Sequence, residues 1–363
     1  MGEYFQIGII NCPWWLVIAG SFIISFILTY LSIPTIVLIS KYKKLFDVPN
    51  ERTAHQSEIP TLGGLALFAG FTISSIVCTA LVSTDYIRYM MGSLIILMLL
   101  GLKDDILVID PRKKFIGQVG AAALIVILGD IRLTDFHSVF GIGEVSYGFS
   151  VLFSVFFILT LINGYNLIDG VDGLSSGTGI FTGSVAAVWF ISTKQYSEAV
   201  LSLALVGGLI AFFRFNVFGG KNKIFLGDTG SMITGFVVAV LAIRFIESAG
   251  IVSPAYRVNS SPSVALGLLI VPLFDTLRII IFRLTRLRSP FKADNNHIHH
   301  SLLRLGYSHL KITLIIVLIN AAIFVFAISL SDINTTLLFF LVLAIATILT
   351  LYSDYLKKVI ENR

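Results

Sequence analysis

Long apolar runs, cut by short polar joints, leave this chain few choices of fold. Eleven such runs cover residues 13–40, 61–81, 86–102, 115–129, 149–162, 174–192, 199–213, 231–246, 262–281, 312–330 and 334–352. About 20 apolar residues cross the roughly 30 Å of bilayer hydrocarbon as a helix. In lipid every backbone N–H and C=O must be satisfied within its own segment, so each run is predicted as a helix. The fourth and fifth runs are short and are expected to borrow residues from their loops. Only 13% of the residues are charged and 56% are hydrophobic, whereas a soluble domain carries about a quarter charged. The fold class is therefore an all-α integral membrane protein of about eleven transmembrane helices, read as one polytopic domain over residues 1–363. No internal repeat or low-complexity stretch divides it. The start of the chain lacks a basic region and a small-residue cleavage site, so the first helix is expected to be an uncleaved span. Cys12 and Cys78 lie in or beside apolar runs, and neither a disulfide, a zinc site nor a catalytic thiol is expected from them.

Lysine and arginine set the orientation. Of 26 such residues, twenty fall in one set of alternating joints, five at the opposite ends, and Arg278 inside a run. The basic side is read as cytoplasmic, which places the N-terminus outside and the C-terminus in the cytoplasm. Because the basic residues sit in short joints between apolar runs, the net charge of +5 reports topology, and no nucleic-acid partner is expected. Every polar motif that suggests chemistry falls on that same side. The opposite segment, 130–150, alternates weakly around Gly141-Ile142-Gly143 and is predicted as a β-hairpin without chemistry.

Asn163, Asn166, Asp169 and Asp172 recur at every third position. On a helix or tight turn that spacing gathers two carboxylates and two amides on nearly one face. Such hard oxygens suit a divalent cation, and a simple helix cap needs fewer of them. Ionisable groups at membrane depth are costly and mark function. Asp104 and Asp105 end the third run, where negative charge opposes the helix macrodipole. A metal, a proton or the nearby Lys113 and Lys114 should compensate. Residues 225–231 open the eighth helix at a natural anion site. There Asp228 is either an N-cap or a metal ligand beside a pyrophosphate, and Phe225 is able to stack on a base. His297, His299 and His300 follow Arg286, Arg288 and Lys292. They lack the cysteine or helical pair that zinc favours and suit phosphates better. The joint holding Arg52, His55 and Pro60-Thr61-Leu62-Gly63-Gly64 is basic and lies at the lipid surface, where an anionic head group binds. Together these features point to phosphoryl transfer at the membrane face, from a soluble diphosphate-linked donor to a lipid phosphate. A secondary transporter would instead show inverted repeats and ionisable groups near the midplane.

Taken in order, the motifs resemble those of the polyprenyl-phosphate N-acetylhexosamine-1-phosphate transferase family over residues 44–308. They are the Arg52 and Pro60 loop, Asp104-Asp105, the 163–173 stretch, residues 227–231, Pro272-Leu273-Phe274-Asp275 and His297-Ile298-His299-His300. The resemblance implies a reaction in which a UDP-N-acetylhexosamine and undecaprenyl phosphate give undecaprenyl-diphospho-N-acetylhexosamine and UMP, with Mg²⁺ or alternatively Mn²⁺. His-Ile-His-His and the Gln56-Ser57-Glu58-Ile59 lead into Pro60 are similar to the WecA/TagO-like branch, which uses UDP-GlcNAc to begin O-antigen, enterobacterial common antigen or teichoic acid. The peptidoglycan branch, which transfers phospho-MurNAc-pentapeptide, is the alternative. By resemblance Asp228 and Asn166 are the metal ligands, and Asp104, Asp105, Asp169 and Asp228 are catalytic positions. Asp172, Asn163, Phe225, Arg288, His297, His299 and His300 would then contact the donor, and Arg52, His55, Lys113 and Lys114 the lipid phosphate. The implied setting is the bacterial cytoplasmic (inner) membrane with a cytoplasmic active site, the bilayer itself being a partner and a homodimer being allowed for. The last two helices carry no acidic or histidine cluster and are expected only to pack and anchor.

Overall fold

The computed structural model describes residues 4–7, 10–46, 59–79, 85–107, 109–285, 302–303 and 305–361. A short ribbon of β1 (Tyr4–Ile7) and β2 (Ile10–Pro13) leads into α1 (Trp14–Lys43). There follow α2 (Gly63–Thr79), α3 (Ile87–Leu107) and α4 (Pro111–Ala123), the last continued by a π-helical stretch, Leu124–Leu128. The antiparallel pair β3 (Asp135–Val139) and β4 (Ile142–Glu144) is the hairpin that the sequence predicts. Then come α5 (Tyr147–Ile168), α6 (Leu174–Ser192), α7 (Tyr196–Phe218) and α8 (Gly227–Ser248). The chain closes with α9 (Ser261–Leu268), α10 (Ile270–Thr285), α11 (His309–Ser329) and α12 (Thr335–Glu361).

Each of the eleven apolar runs carries helix. Among the described residues, seven helices are long and apolar enough to cross a bilayer, and a bent pair makes an eighth. The protein is thus a multi-pass, helical membrane protein. The ninth run is not one straight helix: α9 and α10 meet at Leu269 with a bend of 64°. Pro272 explains the break. It has no N–H to donate and its ring crowds the carbonyl four residues back, which favours a place in the first turn of a new helix.

α8 is the axis of the bundle. Nearly all of its residues from Thr229 to Ile246 are buried, and α2, α3, α5, α6 and α7 pack around it. Lipid supplies no hydrophobic drive between helices, so close approach of small residues does much of the joining. A Cβ on Gly207 of α7 would stand 2.4 Å from the Phe22 carbonyl of α1, and one on Gly70 of α2 would stand 2.2 Å from Thr29 Oγ1. Hydroxyls add bonds across the same seam: Ser74 donates to the Ser21 carbonyl at 2.5 Å and Ser21 to that of Val200 at 3.2 Å.

At one end of the bundle a charge is locked inside. Glu198 of α7 is 3% exposed and pairs with Arg244 of α8 at 2.7 Å. Tyr86, just before α3, donates its hydroxyl to the same carboxylate at 3.3 Å, and the guanidinium lies 5.5 Å from its ring centroid. Removing one partner of a buried pair leaves the other charge uncompensated, at a cost of about 3–5 kcal/mol. Glu198→Ala is therefore expected to lower the thermal midpoint of the detergent-purified protein strongly, and Glu198→Gln, which keeps an acceptor for Arg244, clearly less.

Candidate active site

The opposite end of α8 gathers the polar motifs. Asp104 and Asp105 lie on the last turn of α3, beyond its apolar stretch. Asp105 accepts hydrogen bonds from the N–H groups of Asp228 at 2.7 Å and Thr229 at 3.2 Å, and from the Thr229 hydroxyl at 2.7 Å. A helix start leaves four N–H groups without intrahelical partners, and the residue before α8, Leu226, offers no side-chain cap. Asp105 supplies that cap from another helix, with its charge at the positive end of the dipole. An anion does sit at this helix start, and it is the protein's own. Asp228 is consequently not an N-cap; it lies within the first turn with its carboxylate turned to other partners. Burial pushes the Asp105 carboxyl up to about 7, working against the Thr229 hydroxyl bond and aided by the charge of Asp228.

The joint is tight because its residues are small. Gly227 has φ +72°, and a Cβ there would stand 2.2 Å from the Thr61 carbonyl and 2.7 Å from Asp105 Oδ1. A Cβ on Gly64 would lie 2.2 Å from the nitrogen of Gly230. The backbone between Pro60 and Gly64 pairs with that of 225–226: Phe225 N–H donates to the Pro60 carbonyl at 2.8 Å, Gly63 N–H to that of Phe225 at 3.0 Å and Gly64 N–H to that of Leu226 at 2.8 Å. Two motifs more than 160 residues apart in sequence are thus one piece of structure.

Asp228 is reached from three sides. Lys114, near the start of α4, bridges Asp228 Oδ2 at 2.7 Å and Asp104 Oδ2 at 2.8 Å. The Asn166 amide, near the end of α5, donates to Asp228 Oδ1 and to Ser231 Oγ, the latter at 3.0 Å. Asp104 also accepts the Ile109 N–H at 2.6 Å. Burial alone would raise the Asp104 carboxyl, but its hydrogen bonds to Asp228, Ile109 and Lys114 hold it at about 2. Burial likewise works against the Lys114 charge, and the two carboxylates outweigh it and raise its pKa. Asp169, just past α5, has no cation or donor paired with it among the described residues. Burial and the charges of Asp228, Asp105 and Asp172 push its carboxyl well above the usual range.

The period-three set does not stay on one face, because α5 ends at Ile168. Asn163 turns to α4, donating to Gln118 Oε1 at 3.2 Å and to the Leu159 carbonyl at 2.8 Å. Asn166 faces Asp228, and Asp169 lies near enough for the Asp228 charge to act on it. Asp172 turns away to Lys223 Nζ at 2.6 Å and His309 Nδ1 at 3.2 Å; these hold its carboxyl below the usual range against burial. Phe225 is half-buried, with Lys223 Nζ 5.7 Å from its ring centroid. Lys113 is exposed beside the site. Arg52, His55, Arg288, His297, His299 and His300 lie outside the described residues.

Sequence reasoning missed Lys223, Gln118 and His309. Each is a lone polar residue at an ordinary helix or loop position, and only the partner brought to it by the fold marks it. Among the described residues, no three of His, Cys, Asp and Glu lie close enough together to hold an ion by themselves. The hard-oxygen donors at hand are Asp228, Asn166 through its amide oxygen, and the unpartnered Asp169. That set fits Mg²⁺, which is held by one or two carboxylates while water and substrate phosphates complete its shell.

The family described as Glycosyl transferase family 4 matches residues 87–246, from α3 almost to the end of α8. A "Probable undecaprenyl-phosphate N-acetylglucosaminyl 1-phosphate transferase" of Bacillus subtilis (strain 168) is 31% identical over 320 residues, covering 86% of this chain and 84% of its own length. The chain belongs to glycosyl transferase family 4. Other family 4 relatives include a decaprenyl-phosphate N-acetylglucosaminephosphotransferase of Mycobacterium tuberculosis (strain ATCC 25618 / H37Rv), 29% identical over 80% of this chain and 77% of its own length. An undecaprenyl-phosphate alpha-N-acetylglucosaminyl 1-phosphate transferase of Escherichia coli (strain K12) is 28% identical over 78% and 76%. These names agree with the family resemblance that the motifs carry, and the matched stretch holds Asp104, Asp105, Lys114, Asn166, Asp169 and Asp228.

The α3–α8 joint offers a direct test. Gly227→Ala forces an L-residue into left-handed backbone, costing roughly 1–2 kcal/mol, and also drives its methyl into Thr61 and Asp105. At Gly220, φ is +53° and a Cβ meets nothing within 4 Å. Gly220→Ala should therefore show the backbone cost alone, and the difference between the two thermal midpoints measures the clash.

Proposed function

We propose that this chain transfers an N-acetylhexosamine-1-phosphate, GlcNAc-1-phosphate as the names of its relatives suggest, from the UDP-sugar to undecaprenyl phosphate, releasing UMP. The observation that carries this reading is the convergence of Asp104, Lys114, Asn166 and Asp228, from four helices, at one end of a membrane bundle. The product would start an envelope polysaccharide. The charge distribution along the chain supports eleven crossings in a single domain, an outside N-terminus and a cytoplasmic C-terminus. The cleft then faces the cytoplasm at the bacterial inner membrane, where the soluble donor is found.

Mg²⁺ would be held by Asp228 and Asn166, with Asp169 completing or orienting the shell; when bound it neutralises donor pyrophosphate charge as UMP leaves. The chain's own residues place the reactants. Asp105 fixes the first turn of α8 and with it the direction of Asp228. Lys114 brings a positive charge between the carboxylates of α3 and α8, where it faces incoming phosphate. A phosphomonoester with second pKa of about 6 is largely dianionic at neutral pH, so it attacks without surrendering a proton. A polyprenyl phosphate oxygen bonds to the β-phosphorus, the bond from that phosphorus to the UMP oxygen breaks, and UMP carries off the electron pair. Asp104, tied to Lys114 and to the Ile109 N–H, serves to orient.

Four experiments test the reading. Incubation with undecaprenyl phosphate, Mg²⁺ and a panel of UDP-sugars should yield a lipid product of mass corresponding to GlcNAc-diphospho-undecaprenol, and its absence for every UDP-N-acetylhexosamine would refute the function. Asp228→Ala should lose roughly 10²–10³-fold or more in turnover while inserting and eluting as the wild type does. Chelation of divalent ions should silence the wild type and Mg²⁺ should restore it. Exchange of UMP into UDP-sugar without lipid acceptor would replace direct attack with a covalent route.

A further inference from the structure

The segment that follows Asp169 is fixed in part from outside the stretch matched by the family, residues 87–246. Asp172 is gripped at all three of its polar groups. Its N–H lies 3.1 Å from His309 Nδ1, its carbonyl accepts the Thr313 hydroxyl at 2.9 Å, and its carboxylate meets Lys223 at 2.6 Å and His309 Nδ1 at 3.2 Å. His309 and Thr313 are four residues apart and share one face of α11, a helix for which the sequence suggests only a packing role. The neighbouring Gly173 N–H is held by Asn216 Oδ1 at 2.6 Å, and Asn216 in turn donates to the Ile224 carbonyl at 2.9 Å. One end of the 169–173 turn is therefore set by α5, where Asn166 faces Asp228, and the other by α11 and the α7–α8 joint. Asp169 sits between the two anchors.

We infer that His309 is a positioning residue for the transfer reaction, clamping the Asp169–Asp172 turn onto α11 so that Asp169 is held toward Asp228. It touches no substrate and acts through Asp172. One ring nitrogen, Nδ1, lies within reach of both the Asp172 N–H and the Asp172 carboxylate. An asparagine carries both an acceptor and a donor at nearly the same distance from its backbone and should stand in for it, whereas alanine and leucine cannot. This role rests on the transferase reading above.

The test measures kcat and KM for UDP-GlcNAc and undecaprenyl phosphate in the full-length protein, per folded molecule, alongside the thermal midpoint. His309→Ala is expected to lower kcat about 10–100-fold, the scale at which small misplacement of a reacting group acts, while either KM moves by less than about threefold. His309→Asn should recover most of kcat, and His309→Leu should not. Combined with Asp172→Asn, His309→Ala should add little further loss, since residues acting as a unit are not additive. If wild type makes no lipid product, the functional reading falls and this role with it. If wild type is active and His309→Ala keeps its kcat, or its loss adds fully to that of Asp172→Asn, the clamp is refuted while the function stands. Should His309→Ala fold poorly, His309→Asn against His309→Leu decides: equal kcat in the two overturns the proposal.

Discussion

A carboxylate of one helix seated on the first turn of another is the contact on which the arrangement depends. Asp105 takes the N–H groups of Asp228 and Thr229 and so fixes where the most buried helix begins. Without that contact, α8 would open with unpaired donors at a depth where water is scarce, and the Asp228 side chain would have no defined direction. The glycines around it are the other half of the joint. Gly64, Gly101 and Gly227 let two segments, 60–64 and α3, approach the start of α8 to distances that a methyl group would forbid. Charge and smallness act together, since neither would hold the site alone.

The acidic residues of the site divide into those that hold the protein and those left to hold something else. Asp105 and Asp172 are spent on the scaffold: one caps α8, the other ties a turn to Lys223 and α11. Asp104 and Asp228 share a single lysine between them. Among the described residues Asp169 has no cation or donor paired with it, and the charges of Asp228, Asp105 and Asp172 act on it. The carboxyls not committed to the scaffold are therefore Asp228, which shares Lys114 with Asp104, and Asp169.

Much of this was legible in the chain. Hydropathy marked every helix, because lipid gives a backbone no alternative, and the 3-residue spacing of Asn and Asp pointed to the right turn. Asp104, Lys114, Asn166 and Asp228 stood out because ionisable or amide groups at helix ends in a membrane protein demand a reason. The division of labour did not show. Nothing in Asp104-Asp105 says which of the pair will cap a helix more than a hundred residues later, since that depends on how α3 and α8 cross. The bend at Leu269 was hidden in an unbroken apolar run, although Pro272 carried the signal. His309 looked like any polar residue at a helix start until α11 packed beside the 169–173 turn.

The hairpin at the other end has no part in this chemistry, yet it joins distant parts of the fold. Thr134, just before β3, donates its N–H to Glu247 of α8 at 2.7 Å. The tip reaches the last helix, where Phe140 N–H donates to Thr336 Oγ1 at 2.7 Å and the Phe140 ring packs edge-on against Phe339 and Phe340. A strap of a dozen residues thereby ties the axial helix to the one that ends the chain. Removing the first turns of α12 would unfasten that strap, so the start of this helix belongs to the body of the enzyme and not to its margin.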